Sequence, residues 1–358
     1  MSFTIFSEIE WKNILSLYPK PHDDVKEQVW DKTRNLNILK NINFSETESD
    51  FLELKKLDCS KLIKKGCVFS RYEYKWELGD TYVDFSNIGN KSSNFFHQEN
   101  RYKCDSINAP SPYRTWNEKK FFFTLLNALW TLKVKEVNDD TLRSCIALRK
   151  YIASQFRPSA AKAIYEYFNA KTVLDFSSGW GDRLTAAMAT DNLKSYVGID
   201  PNTNLTLGYA KQIETFNTNK NIRMIMKPAE EALLTLEYSP DLVFTSPPYF
   251  IIERYSKDST QSWQRYKKLN AWLDNFLFPV IEKSWELLQV NGHMVINISD
   301  VYCNHTINRI CDPMNDFISS LHNSQKCDNL NYRMAKRMNS KSEKDGIFVE
   351  PAWVWKKI

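Results

Sequence analysis

At 358 residues, with 42% hydrophobic and 25% charged side chains, the chain is a folding sequence with room for one large or two ordinary domains. A net charge of +5, from 48 basic against 43 acidic side chains, excludes a histone-like polycation and leaves room for local basic patches. No apolar run approaches the roughly 20 residues of a bilayer span, and Met1–Glu10 is not a basic start followed by an apolar stretch, so a soluble, cytoplasmic protein is expected. The 7 cysteines form no C-x-x-C pair and the 5 histidines are dispersed, which predicts free thiols and no metal site.

Up to about Arg149 the chain is aromatic and polar without a clear strand–helix alternation. Trp116–Val134 and Thr141–Ala153 read as helices, whereas Tyr82–Phe96 and Asp105–Arg114 read as loops. From Ser159 the character changes. Ser159 is placed to cap a helix over Ala160–Phe168, and the apolar run Thr172–Phe176 reads as a strand. Helix Arg183–Ala189, strand Ser195–Ile199, helix Asn204–Phe216, strand Arg223–Met226, helix Ala229–Leu236 and strand Asp241–Thr245 follow. A long helix, Ala271–Leu288, ends before Asn291-Gly292, and His293–Ile298 reads as the next strand. This alternation predicts an α/β domain over 151–358, with a mostly parallel sheet covered by helices on both faces. Residues 1–150 are expected to form an accessory region, and Pro351–Lys356 an edge strand.

In open α/β sheets ligands bind beyond the carboxyl ends of the strands, so residues at those ends carry the most information. After the first strand stands Asp175-Phe-Ser-Ser-Gly179-Trp-Gly181, a turn whose glycines let the backbone approach a ligand. It lacks the third glycine of a dinucleotide fingerprint, and Asp175 would repel a pyrophosphate while attracting an ammonium group. Asp200, in Gly198-Ile-Asp200-Pro201, ends the next strand, where a carboxylate accepts hydrogen bonds from ribose hydroxyls. Pro228-Ala-Glu230-Glu231 follows the third strand, in position to meet an adenine ring.

Thr245-Ser246-Pro247-Pro248-Tyr249-Phe250 closes the fourth strand. Two consecutive prolines stiffen the backbone and offer no N–H groups, so the carbonyls of Ser246 and Pro247 can face a ligand. Such a corner suits a planar, amino-substituted base. The Ser246 hydroxyl and the Pro247 carbonyl would each accept an N–H bond from an exocyclic amine, freeing its lone pair and stabilising the positive charge that builds up on methylation. Tyr249, with Phe250, would stack on a base that has left its helix.

The order of Asp175-Phe-Ser-Ser-Gly-Trp-Gly181, Asp200 and Thr245-Ser-Pro-Pro-Tyr249 resembles that of the S-adenosylmethionine-dependent amino-methyltransferases of DNA, the N4-cytosine and N6-adenine enzymes. The resemblance covers about Phe156 to Asp300, and it implies a Rossmann-like, seven-stranded sheet. It implies S-adenosylmethionine contacts at Phe156, Arg157, Pro158, Asp175, Ser177, Gly179, Asp200, Pro201, Glu230 and Thr245. Ser246, Pro247, Pro248 and Tyr249 match the family's catalytic tetrapeptide, and its opening serine favours N4-cytosine over N6-adenine. Only about 70 residues separate the glycine turn from the tetrapeptide, too few for an inserted recognition domain, so that role would fall to the first 149 residues.

Basic and aromatic residues interleave after the tetrapeptide. Arg254, Tyr255, Lys257, Arg265, Lys267 and Lys268 are therefore expected to contact nucleic acid, DNA above all. Two further basic stretches, Arg333–Lys344 and Arg101–Lys120, are weaker candidates. The alternatives are an RNA base or a protein glutamine as the methylated group, or a non-catalytic subunit that binds nucleic acid.

Overall fold

The computed structural model describes residues 3–106, 109–132, 134–149, 152–334 and 346–358. The chain folds into two interleaved units. The smaller comprises Met1–Asn41, Gln98–Ser154 and Glu253–Tyr255; the larger comprises Ile42–His97, Gln155–Ile252 and Ser256–Ile358. One crossing, after Ser154, lies close to the composition change near residue 150, whereas those at 41–42 and 97–98 leave no compositional trace.

In the smaller unit, helices Glu8–Leu17, Asp23–Thr33, Lys119–Thr131 and Asp139–Arg149 enclose a core of Trp11, Val29, Phe122, Leu126, Leu129 and Ile146. The helix expected over 116–134 is two helices. Ser111 caps a first one, Pro112–Asn117, and Glu118 is extended before the second begins. That break lets the buried Trp116 meet Phe122 edge to face at 5.4 Å.

The larger unit is built on a seven-stranded sheet. Its strands are β1 (Thr172–Asp175), β2 (Ser195–Ile199), β3 (Asn221–Ile225), β4 (Leu242–Thr245), β5 (His293–Asn297), β6 (Ser324–Lys326) and β7 (Ala352–Lys357). Their order is β3-β2-β1-β4-β5-β7-β6, with β1 to β5 parallel and β7 antiparallel to both of its neighbours. The order reverses between β1 and β4, where the chain turns away on either side and opens a crevice at the strands' carboxyl ends. This is the expected Rossmann-like α/β architecture.

Side chains on successive residues of a strand point to opposite faces, and here both faces are buried. Leu174, Val197, Val243, Met294, Trp353 and Trp355 share one apolar cluster with Trp272, Val280, Ile281 and Ile318. On the other face, Phe244 meets Tyr165 of helix α1 (Pro158–Tyr167) and Phe156, at 5.7 and 5.2 Å. The strand expected at the sheet edge, β7, instead lies inside, between β5 and β6. Trp353 and Trp355 are fully buried, and an edge position would strip one side of that cover.

Four other expectations are corrected. Ser159 does not cap α1, because Pro158 is already its first residue; the Ser159 hydroxyl donates to the Ser86 carbonyl and accepts from the Ser86 N–H. The helix over 271–288 contains a wider turn at Leu273–Leu277, just before Pro279, which has no N–H to offer the preceding turn. The expected loop 82–96 holds most of strand Thr81–Val83, part of a second, five-stranded sheet, and the start of helix Asn90–Tyr102. Asp50 pins that helix start by accepting from the N–H groups of Gly89 and Ser92, each at 2.9 Å. The expected loop 105–114 holds the short strand Asp105–Ser106 and the beginning of helix Pro112–Asn117. No helix among the described residues is long and apolar enough to cross a membrane.

Candidate active site

The carboxyl end of β1 is organised by a buried ion pair. Asp175 is fully buried and accepts a fork of two bonds from Arg183, at 2.8 and 3.1 Å, together with the Tyr196 hydroxyl at 2.7 Å. Arg183 stands in the first turn of helix α2 (Asp182–Ala189). Burial works against its charge, but the adjacent Asp175 carboxylate outweighs that and holds the guanidinium above its ordinary pKa. Burial, with the negative Asp175 beside it, pushes the Tyr196 phenol well up, so it stays a donor. The charge of Asp175 is therefore matched from within the chain, and its oxygens order the turn: one accepts the Ser177 N–H at 3.3 Å, and Arg183 reaches the Ser177 carbonyl.

The glycine turn is also stitched to the end of β2. Ser178 N–H donates to the Ile199 carbonyl at 2.9 Å, and Gly179 N–H donates to Asp200 at 2.9 Å. The second Asp200 oxygen accepts the Asn202 N–H at 2.8 Å. Burial raises the Asp200 carboxyl to about 6 although these two bonds favour its ionised form. Gly179 has φ +64, and a Cβ there would meet nothing nearer than the Ser177 carbonyl at 3.9 Å, so the space beside this turn is open. Pro201 offers its carbonyl to the Thr260 hydroxyl at 3.3 Å.

β4 delivers the tetrapeptide next to the end of β5. The Ser246 hydroxyl donates to Oδ1 of Asn297 at 3.3 Å, and Nδ2 of Asn297 donates to the Pro351 carbonyl at 2.9 Å. A carbonyl only accepts, so the Asn297 amide has one orientation, and that orientation draws the hydroxyl proton of Ser246 toward Asn297. The lone pairs of Ser246 then point elsewhere. Phe250 N–H and Ile252 N–H bond to the carbonyls of Pro248 and Tyr249, which leaves the Ser246 and Pro247 carbonyls outside these turns. Sequence reasoning missed Asn297; its one signal is a polar residue closing an otherwise apolar strand. Phe250 does not serve as a stacking ring: it is buried at φ +54 and packs on Trp272 at 6.0 Å. Tyr249 is half-buried, and the Thr245 hydroxyl is buried with no partner among the described residues.

The other expected contacts fall at several places. Phe156 stacks on Tyr332 at 4.7 Å, Arg157 lies over Phe85 at 4.0 Å, and Pro158 opens α1. Glu230 accepts from Arg265 at 3.0 Å and from the Tyr266 hydroxyl at 3.2 Å, while Arg265 also holds Glu231 at 2.6 Å. The charge of Arg265 is thus matched by two glutamates, whereas Lys257, Lys267 and Lys268 are exposed. Arg254 and Tyr255 belong to the smaller unit, where Arg254 pairs with Asp105 in a short antiparallel ladder. Of the weaker basic stretches, Arg114 is paired with Glu118 and Trp116 is core, and the run beyond Met334 lies outside the described residues.

Replacing Arg183 by methionine leaves Asp175 buried without its counter-charge. This is expected to cost about 3–5 kcal/mol in urea unfolding, and Arg183→Met with Asp175→Asn is expected to cost clearly less than Arg183→Met alone. Equal losses in the two proteins would show that the pair does not organise this end of the sheet.

Residues 240–358, the last third of the chain, match the DNA methylase family of N6/N4 type. No curated protein matches the chain. Among solved structures it is similar to TrmN from Thermus thermophilus, at 14% identity and TM-score 0.38 over 56% of this chain and 49% of that one. It is also similar to an rRNA methylase from Streptococcus thermophilus, at 13% identity and TM-score 0.35 over 57% of this chain and 99% of that one. A third is a Streptococcus mutans protein described as a methyltransferase and solved in complex with SAH, at 14% identity and TM-score 0.36 over 57% of this chain and 100% of that one. The chain thus spans about half the length of TrmN. The fold itself rests on the strand order, not on these distant likenesses. The family match runs from the start of β4 through β7 and takes in the Ser-Pro-Pro-Tyr corner, so this third of the chain is similar to the DNA methylases of N6/N4 type.

Proposed function

We propose that the protein methylates the exocyclic amine of a flipped-out base in DNA, N4 of cytosine in preference to N6 of adenine. The observation that carries this reading is the Ser246–Asn297 bond between the carboxyl ends of β4 and β5, one strand from the switch point of the sheet. Because the Ser246 proton is engaged by Asn297, its oxygen is left as an acceptor for one N–H of the amine, and the Pro247 carbonyl accepts the other. Two acceptors on a conjugated amine pull the nitrogen out of the ring plane. Its lone pair becomes available, the developing positive charge meets oxygen dipoles already in place, and the methylated amine becomes neutral by giving up one N–H proton to water as the base leaves. Tyr249 supplies a ring for the extruded base, and Lys257, Lys267 and Lys268 supply cations for the flanking phosphates. Arg265 is better read as the partner of Glu230 and Glu231 than as a phosphate ligand. The preference for cytosine rests on the serine that opens the tetrapeptide.

The residues at the ends of β1, β2 and β4 fit S-adenosylmethionine. Each Asp200 oxygen accepts one backbone N–H and has a lone pair left for a ribose hydroxyl. The open face of Gly179 admits a ligand against the backbone, and the buried Thr245 hydroxyl, without a partner among the described residues, can take one from a ligand. The cofactor brings an electrophilic methyl group; the chain's part is to hold the amine, strip it of water and stabilise its charge.

Incubation with methyl-labelled S-adenosylmethionine and DNA, followed by digestion to nucleosides, is expected to put label in N4-methylcytosine. Label confined to RNA or to protein overturns the reading, and label in N6-methyladenine alone overturns the cytosine preference. Ser246→Ala is expected to lower kcat by about two orders of magnitude, by analogy with the loss of one preorganised hydrogen bond to a developing charge, and to leave SAH affinity as it was.

Asp200 gives a pH signature. Its carboxyl, at about 6, holds a proton on the acid side of that value in the empty protein. This proton's contribution to the stability of the empty fold is full below the ordinary carboxyl value of 3.8 and is lost as pH rises from there through about 6. Ribose hydroxyls favour the ionised carboxylate, so binding has the opposite sign. SAH affinity is expected to be full above about pH 6 and to fall toward lower pH by at most about tenfold per unit. Calorimetry on Asp200→Asn is expected to give weaker binding and a flat profile over the same range.

A further inference from the structure

His97 is a residue that neither the motif reading nor the family match assigns. It is fully buried in the larger unit, in helix Asn90–Tyr102. Its imidazole occupies the space left by two glycines. A Cβ on Gly181 would come within 2.8 Å of Nε2, and a Cβ on Gly208 within 2.7 Å of Nδ1. Gly181 ends the turn that follows β1, and Gly208 lies in helix α3 (Thr206–Phe216).

The hydrogen bonds around the ring have one direction. The Gln212 amide donates through Nε2 to the Gly181 carbonyl at 3.0 Å and to the Thr185 hydroxyl at 2.5 Å, so its Oε1 is the acceptor that faces His97. Nε2 of His97 must then carry the proton in its 3.1 Å contact with Gln212 Oε1. Nδ1 is buried without a partner among the described residues. Burial depresses the imidazole to about 4, so the ring is neutral. On its other side the ring packs on Tyr209 at 4.9 Å, and the Tyr209 hydroxyl donates to the Gly179 carbonyl. The imidazole therefore backs the two side chains that grip the turn at its two glycines. A neighbouring network braces the same element: Ser93 and Gln155 both donate to the Asp182 carboxylate at the start of α2.

We propose that His97 is a positioning residue of the cofactor site, setting the Gly179–Gly181 turn through Gln212 and Tyr209. The inference rests on the S-adenosylmethionine reading of that turn. It makes the segment 42–97 a part of the cofactor site, outside the familiar sheet.

The test is calorimetric titration of the full chain with SAH, together with steady-state kinetics on DNA. His97→Ala is expected to weaken SAH binding and raise the KM for S-adenosylmethionine by about five- to tenfold, with kcat changed less than about twofold. His97→Gln, whose side-chain amide can donate in place of Nε2, is expected to recover most of the loss. Gly208→Ala presses on the ring while leaving His97 intact; it is expected to weaken SAH in the same sense, and it answers the question if His97→Ala does not fold. Variants that lose thermal stability but bind SAH as the wild type does would overturn the proposal, because a merely structural histidine behaves that way. Failure of His97→Gln to improve on His97→Ala would also overturn it. Wild-type protein that does not bind SAH overturns the cofactor reading itself, and this inference with it.

Discussion

The buried pair between Asp175 and Arg183 is the constraint on which the site depends. A carboxylate taken out of water at the end of a strand is costly unless a cation of matching shape reaches it, and the forked guanidinium does so from the next helix. Once Arg183 is drawn in, the intervening turn has little freedom: its Ser177 carbonyl faces the same guanidinium, its Ser178 N–H meets β2, and its Gly179 N–H meets Asp200. The pair thus converts a flexible, glycine-containing segment into a fixed rim beside the crevice. Asp175 thus takes bonds from Arg183, Tyr196 and Ser177, whereas each oxygen of Asp200 accepts a single backbone N–H.

The parts of this arrangement that were legible in the sequence are those encoded locally. β1, β2, β4 and β5 are short apolar runs buried on both faces, and such runs stand out between helices. The Ser-Pro-Pro-Tyr corner stands out because two adjacent imino acids are rare at a strand end and have few other uses. What was not legible depended on partners distant in the chain. Helix Asn90–Tyr102 begins with Asn, Lys and two serines, which read as a loop; it forms because Asp50, some forty residues earlier, satisfies its first N–H groups. Asn297 gains meaning only when β4 and β5 lie side by side. Arg265 reads as a phosphate ligand until Glu230 and Glu231 are seen to claim it.

The same dependence explains why composition misjudges the segment 42–97. It is polar and lacks alternation, yet Tyr74 and Trp76 lie edge-on to Trp353 and Trp355, each at 5.2 Å, and the Tyr74 hydroxyl meets Ser299 at 2.9 Å. Tyr74 and Trp76 are partly buried against a cluster drawn from the far end of the chain, and the strap between them forms no regular element, so only the folded partners reveal what their alternation is for.

The placement of β7 has a consequence for how the molecule is made. β6 pairs with β7 alone, and β7 is drawn from residues that follow it in the chain. During synthesis, β6 therefore emerges with no strand to join, while β5 presents an unfilled border to the surroundings. Such a border is a template for pairing with other nascent chains, and the sheet closes only by late insertion of a tryptophan-bearing strand between two earlier ones.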